Sequence, residues 1–98
     1  MRKLNSDELA SALNELPGWL NQNNSIVKTF KTSGFPQTMA LSAAICGFCQ
    51  QFDHHPDYLT MKYSEIIVSF STHSEGGITD KDVEIAKSIE SLKKGIIK

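Results

Sequence analysis

Two of the chain's three histidines stand side by side in Gln50-Gln51-Phe52-Asp53-His54-His55-Pro56-Asp57-Tyr58, with an acid before them and a proline after. The third, His73, lies beyond a strand-like run, and Asp82 follows nine residues later. Imidazole is the side chain whose charge changes near neutral pH, so three in one small chain point to proton-transfer chemistry. A single histidine is most often a solvated loop residue. A His-His-Pro run followed by a spaced His and Asp is a pattern of another kind, and it favours function. Asp82 has an ordinary structural use as well, since an acid at the third position of a helix is stabilising without catalysis. The two uses are compatible, because a carboxylate there can also orient a histidine across a short gap.

Other constellations carry less. Cys46-Gly47-Phe48-Cys49 matches Cys-x-x-Cys, but redox motifs of this type sit at a helix N-terminus, where the dipole lowers a thiol's pKa. Here the pair lies three turns inside a helix, and two buried, inert thiols are the better reading. A metal site from His54, His55, His73 and an acid would need two adjacent residues of an extended segment to share one ion, although they point apart. Gly76-Gly77 has no Lys-Ser/Thr after it, so a loop is a better account than a phosphate cradle. Trp19, the one tryptophan, either packs in the core or lines a flat ligand.

The elements that must position these residues follow from capping and periodicity. Asn5 or Ser6 caps a first helix, with Asp7 and Glu8 in its first turn. Leu9, Ala12, Leu13 and Leu16 fall at helical spacing, and Pro17-Gly18 stops the helix. Trp19-Leu20 opens a short strand, Gln22-Asn23-Asn24 turns, and residues 25–31 return. Ile26, Lys28 and Phe30 then share one face of that strand and Val27, Thr29 and Lys31 the other. Neither face is clean, which suits a sheet covered on one side only.

Phe35-Pro36 starts the longest helix, which runs to about Phe52. Leu41, Ala44, Ile45, Phe48 and Phe52 form its main apolar stripe, and Met39, Ala43 and Cys46 a second edge. An apolar arc this wide predicts two neighbours, a core and a subunit interface. Residues 56–63 and 65–71 read as two strands joined near Ser64. Continued straight, the second would place His73 on its polar face with Ser69 and Ser71. Ser74-Glu75-Gly76-Gly77 reads as a flexible loop. Thr79 and Asp82 form a capping box for a last helix striped by Ile85, Ile89, Leu92 and Ile96, with Lys93 and Lys94 near its end. Neighbouring strands joined by short turns imply an antiparallel sheet with helices gathered on one face, an α+β domain.

The totals narrow the function classes. Ninety-eight residues make one domain, 1–98. A domain this small buries only about 60–68% of its unfolded surface, so a cleft near the surface or between subunits is easier to build than a deep one. With 10 basic and 11 acidic residues the net charge is −1. No basic face is implied, and direct nucleic-acid binding is not expected. Two cations near the N-terminus precede no apolar stretch, and no run approaches a membrane span, so the expected compartment is cytoplasmic with both cysteines reduced.

The series His54-His55-Pro56, Tyr63, Ser71-Thr72-His73 and Asp82 resembles the signature of the pterin-4a-carbinolamine dehydratases. Leu16-Pro17-Gly18-Trp19 is similar to the family's Gly-Trp near the first strand, and the likeness extends over nearly the whole chain. Gln50 is a departure, standing where the family often has Glu. Glutamine can hydrogen-bond a substrate amide but cannot act as a base. The resemblance implies a four-stranded antiparallel sheet with three helices on one face. It implies dehydration of a 4a-hydroxytetrahydropterin to quinonoid dihydropterin in tetrahydrobiopterin recycling, with no metal or other cofactor. It assigns His54 and His73 as the acid/base pair and His55 as a third group at the site, mainly for binding. Asp82, Trp19, Gln50, Asp53, Ser71 and Thr72 complete the expected substrate-binding set. The partners it implies are a pterin small molecule and further copies of the chain, as homodimer or homotetramer. Animal members also bind a homeodomain transcription factor, a partner nothing else in the residues supports. The alternative is an interaction subunit that binds pterin with little turnover, and Gln50 is the feature that favours it.

Overall fold

A computed structural model describes residues 2–97. Helix α1 spans Ser6–Asn14. Asn5 caps it, accepting from the Glu8 N–H at 2.8 Å while the Glu8 carboxylate accepts the Asn5 N–H at 2.9 Å. Arg2 closes on the same carboxylate through two bonds of 2.8 and 2.7 Å. A hairpin follows, β1 (Leu20–Gln22) and β2 (Ser25–Lys31), turning at Asn23-Asn24. Both asparagines have positive φ, 52° and 64°. Asparagine tolerates this conformation, and a two-residue hairpin turn of matching twist requires it.

Helix α2 runs Phe35–Phe52, β3 Tyr58–Lys62, β4 Glu65–Phe70 and α3 Asp80–Lys93. The four strands form one antiparallel sheet in the order β1-β2-β4-β3. The helices pack on one face, as expected for this α+β order. That face carries Ile26 and Phe30 of β2 and Ile66, Val68 and Phe70 of β4, all essentially buried. Leu41 and Ile45 of α2 and Ile85, Ala86 and Ile89 of α3 close over them. Side chains alternate, so Ser69 and Ser71 point the other way, toward the sheet's open face.

Lys28 lies on the apolar face and is nonetheless buried. Its ammonium donates to the Pro17 carbonyl at 2.8 Å and to the Glu90 carboxylate of α3 at 2.7 Å. The Trp19 indole N–H donates to the same Glu90 oxygen at 2.9 Å, and its ring meets Phe30 edge-on at 6.0 Å. A buried charge survives only when paired and hydrogen-bonded, and here one carboxylate ties α3 to the sheet and to the chain entering it.

Two expectations are corrected. Cys46 is exposed and only Cys49 is buried, because Cys46 lies on the edge of α2 with Met39 and Ala43, away from the sheet. Residues 73–75 are not a flexible loop but a turn of 3-10 helix. Thr72 and Gly77 bond each other's backbones at its base, at 2.8 and 3.3 Å, and Gly76 closes the turn at φ +73°, a conformation suited to glycine.

Candidate active site

The end of α2 sets the first histidine. Asp53 takes a left-handed conformation, φ 51° and ψ 49°. Its N–H donates to the Gln50 carbonyl at 3.3 Å, and the His54 N–H donates to the Cys49 carbonyl at 2.9 Å. This paired arrangement ends a helix and reverses the chain, turning His54 back toward the core. The His54 ring lies nearly parallel to Phe70, 6.1 Å away at 19°, and only 9% of its side chain is exposed.

His54 Nε2 meets Asp82 Oδ1 in a short hydrogen bond. Asp82 is fully buried, and its other oxygen accepts from Thr72 Oγ1 and from the Thr79 N–H, each at 2.9 Å. The carboxylate is thus both the capping acid of α3 and the holder of His54. An ionised carboxylate only accepts, so Nε2 carries the proton and Nδ1 is the ring's free nitrogen. Ser42 Oγ is the one buried side-chain polar atom without a partner among the described residues, so Nδ1, which makes no hydrogen bond, keeps contact with solvent.

His73 stands in a second carboxylate pair, one that sequence reasoning missed. Its Nε2 lies 3.1 Å from Asp57 Oδ1. The same oxygen accepts from Ser71 Oγ at 2.5 Å, and Asp57 Oδ2 accepts from Ser69 Oγ at 2.8 Å. Burial pushes the Asp57 carboxyl up, but the hydroxyls of Ser71, Ser69 and Ser25 and the charge of His73 outweigh it and hold the group below the usual carboxylate value. The available signal was the pair of serines alternating on a β4 face that offered no apolar use. A polar neighbour had to satisfy them, and an acid directly after Pro56 was the candidate.

Successive hydroxyls therefore reach different carboxylates, Ser71 to Asp57 and Thr72 to Asp82. Residues adjacent in extended chain point apart, so the two pairs flank the end of β4. His54 and His73 do not touch one another. The segment His54-His55-Pro56-Asp57 links the pairs, with His55 exposed between them. Asp57, Ser71 and His73 line a cavity of about 270 Å³ with Asn23, Asn24, Ser25, Gly76 and Gly77.

The rest of the expected set is placed as follows. Gln50 and Asp53 are exposed at the end of α2, beside His54 in the chain, and Lys81 Nζ donates to the Asp53 carbonyl at 3.3 Å. Trp19 is 2% exposed and spent on Glu90, Phe30 and Phe70, so within this chain it offers no open face to a ligand. Core packing claimed it because its indole N–H found a part-buried carboxylate, that of Glu90. Among the described residues no three His, Cys, Asp or Glu side chains cluster closely enough to hold a metal ion.

The family model for the pterin 4 alpha carbinolamine dehydratases matches residues 2–92. The chain belongs to that family. A relative from Sulfolobus acidocaldarius, named among the pterin-4-alpha-carbinolamine dehydratases, is 40% identical over 90 residues, 92% of this chain and 98% of that protein. One of the same name from Aquifex aeolicus is 37% identical over 98 residues, 100% of this chain and 98% of the other. The crystal structure of a Brucella melitensis protein described as a transcriptional coactivator/pterin dehydratase superposes with a TM-score of 0.86 at 28% identity, covering 93% of this chain and 98% of that one. No helix among the described residues is long and apolar enough to cross a membrane.

Proposed function

We propose that this chain dehydrates a 4a-hydroxytetrahydropterin to quinonoid dihydropterin, with His54 and His73 moving the protons and His55 completing the site. The observation that carries the reading is that both rings turn Nε2 toward a carboxylate, His54 in a hydrogen bond to Asp82 and His73 at 3.1 Å from Asp57. Each has Nδ1 left for exchange. The reaction breaks the C4a–OH bond. One imidazole enters as the imidazolium and delivers its Nδ1 proton to the leaving hydroxyl, and the other enters neutral and takes a proton on Nδ1 from the neighbouring ring nitrogen. Water departs, the proton count closes, and no electron leaves the substrate. Each transfer contributes typically 10²–10⁴-fold. Ser71 and Thr72 present groups at the strand end between the two pairs. Gln50 and Asp53 stand at the exposed rim, where an amide or carboxylate can reach a pterin's polar edge. A homodimer or homotetramer is part of the reading. Tyr58 and Met61 lie 47% and 42% exposed on the edge strand β3, with Tyr63 73% exposed just beyond it.

The test is the absorbance change as 4a-hydroxytetrahydropterin dehydrates. Wild-type protein no faster than buffer rejects the proposal. So does an unchanged rate in a folded His54→Ala, His73→Ala double variant. A second reading, a pterin-binding interaction subunit with little turnover, is favoured by Gln50 and by the coactivator wording attached to the Brucella protein. A large rate gain in Gln50→Glu would support it. Sedimentation as a monomer would remove the assembly from the reading and leave the chemistry standing.

A further inference from the structure

We infer that Asp57 is a positioning residue for His73, held in place by Ser69 and Ser71, and that the aim of the exposed imidazole depends on it. The inference rests on the acid/base role proposed above for His73. The two side chains contrast in burial, with Asp57 17% exposed and His73 87%. An imidazole with so little packing around it explores several rotamers unless a polar contact selects one. The one polar side-chain contact His73 makes among the described residues is with Asp57 Oδ1 at 3.1 Å.

Asp57 itself is fixed from several directions. Its N–H donates to the Ser69 carbonyl at 2.7 Å, placing its backbone against β4 before β3 begins. Ser69 Oγ and Ser71 Oγ then secure one carboxylate oxygen each. Ser69 is 2% exposed, and it lies opposite both Val27 of β2 and Tyr58 of β3, at the centre of the sheet. The carboxylate is therefore anchored to an interior strand of the sheet.

The same bonds decide what Asp57 does. A carboxylate has about four lone-pair sites. Ser71 and Ser69 occupy two of them, His73 Nε2 stands 3.1 Å from Oδ1, and the Ser25 hydroxyl also acts on the group. Little acceptor capacity is left for a ligand, although the side chain lines the cavity. Its chemistry acts through His73: with Oδ1 3.1 Å from Nε2, its charge favours a proton there and leaves Nδ1 as the exchanging atom. Asp82 does the same for His54. The two imidazoles thus both face an acid through Nε2 and exchange through Nδ1, and the two acids are 25 positions apart in the chain.

The experiment combines turnover with a resonance. In wild type, the His73 Nε2–H proton is expected as a protected signal in ¹⁵N-edited spectra, which an 87% exposed ring without a partner would lose to exchange with water. Asp57→Ala is expected to remove that signal and to lower kcat about 10- to 100-fold, with KM held within about threefold. Placed on a His73→Ala background it should lower kcat no further. An equal loss on both backgrounds, or a His73 signal that survives Asp57→Ala, overturns the inference in favour of a purely structural tie. If Asp57→Ala does not fold with Ser69 left unpaired, Asp57→Ala with Ser69→Ala removes both partners and is read the same way. Absence of dehydratase activity in wild type would end the proposed function, yet the spectra would still decide whether Asp57 orders His73.

Discussion

Replacing Asp82 should separate its two duties. In Asp82→Ala, Thr72 and Thr79 still have each other, their hydroxyls being 2.9 Å apart. The Thr79 N–H and His54 Nε2–H lose their acceptor, and both residues are buried. Each buried donor left unsatisfied costs about 1–3 kcal/mol, so the loss for the two is roughly 2–6 kcal/mol. At about 4–8 °C per kcal/mol for a chain this size, melting should fall by roughly 10–50 °C. Asp82→Asn is different. Its amide oxygen can still serve Thr72 and Thr79, while its NH₂ faces His54 Nε2. Two donors cannot meet, so the ring must accept at Nε2 and carry its proton on Nδ1. A neutral bond replaces a charge-assisted one at a cost of about 1 kcal/mol. Nδ1 can then no longer accept a proton, and an imidazolium has lost its counter-charge, so in either role the rate should drop about 10²–10⁴-fold, roughly 3–5 kcal/mol of barrier. Melting by circular dichroism, initial rates on 4a-hydroxytetrahydropterin and the ¹⁵N signature of the His54 ring measure the three quantities. An Asp82→Asn protein that turns over within about threefold of wild type would show that the His54 tautomer does not matter, and the reasoning would fail.

Three further outcomes are expected. Glu90→Gln leaves the buried Lys28 ammonium without its counter-charge and should destabilise by about 3–5 kcal/mol, whereas Lys28→Met with Glu90→Gln should recover most of that; Trp19 fluorescence in urea melts checks both. The Arg2 guanidinium, followed by the Asn5 N–H, lowers the Glu8 carboxyl from 4.5 to about 2. A folded-state value below the unfolded one means its stabilisation is complete above pH 4.5 and is lost as pH falls toward 2, so Glu8→Gln should flatten that part of the acid melting curve. Burial, then the neighbouring Cys46, pushes the Cys49 thiol up to about 11, which keeps it protonated at neutral pH. A thiol reagent should label Cys46 alone in the native protein and both cysteines after unfolding, and fast labelling of both in the native state would contradict the burial of Cys49.

Local chemistry made much of this legible from residues alone. Asn5 with Glu8 and Thr79 with Asp82 announce two helix starts, because a capping box needs nothing beyond four consecutive positions. The stripe from Leu41 to Phe52 and the alternation around Ile66, Val68 and Phe70 set the helix and strand and their buried faces. The spaced histidines and Asp82 carried the family signature, and the family match over residues 2–92 agrees with that resemblance. Other features depended on which strands became neighbours. Asp57 meets Ser69, Ser71 and His73 only because β3 pairs with β4, and Trp19 and Lys28 share Glu90 only because α3 lies over that part of the sheet. Capping and periodicity act over a turn or a few residues and can be read along the chain. The partner of a buried charge or of an exposed imidazole is chosen by contacts dozens of residues apart, and packing of the whole chain decides it.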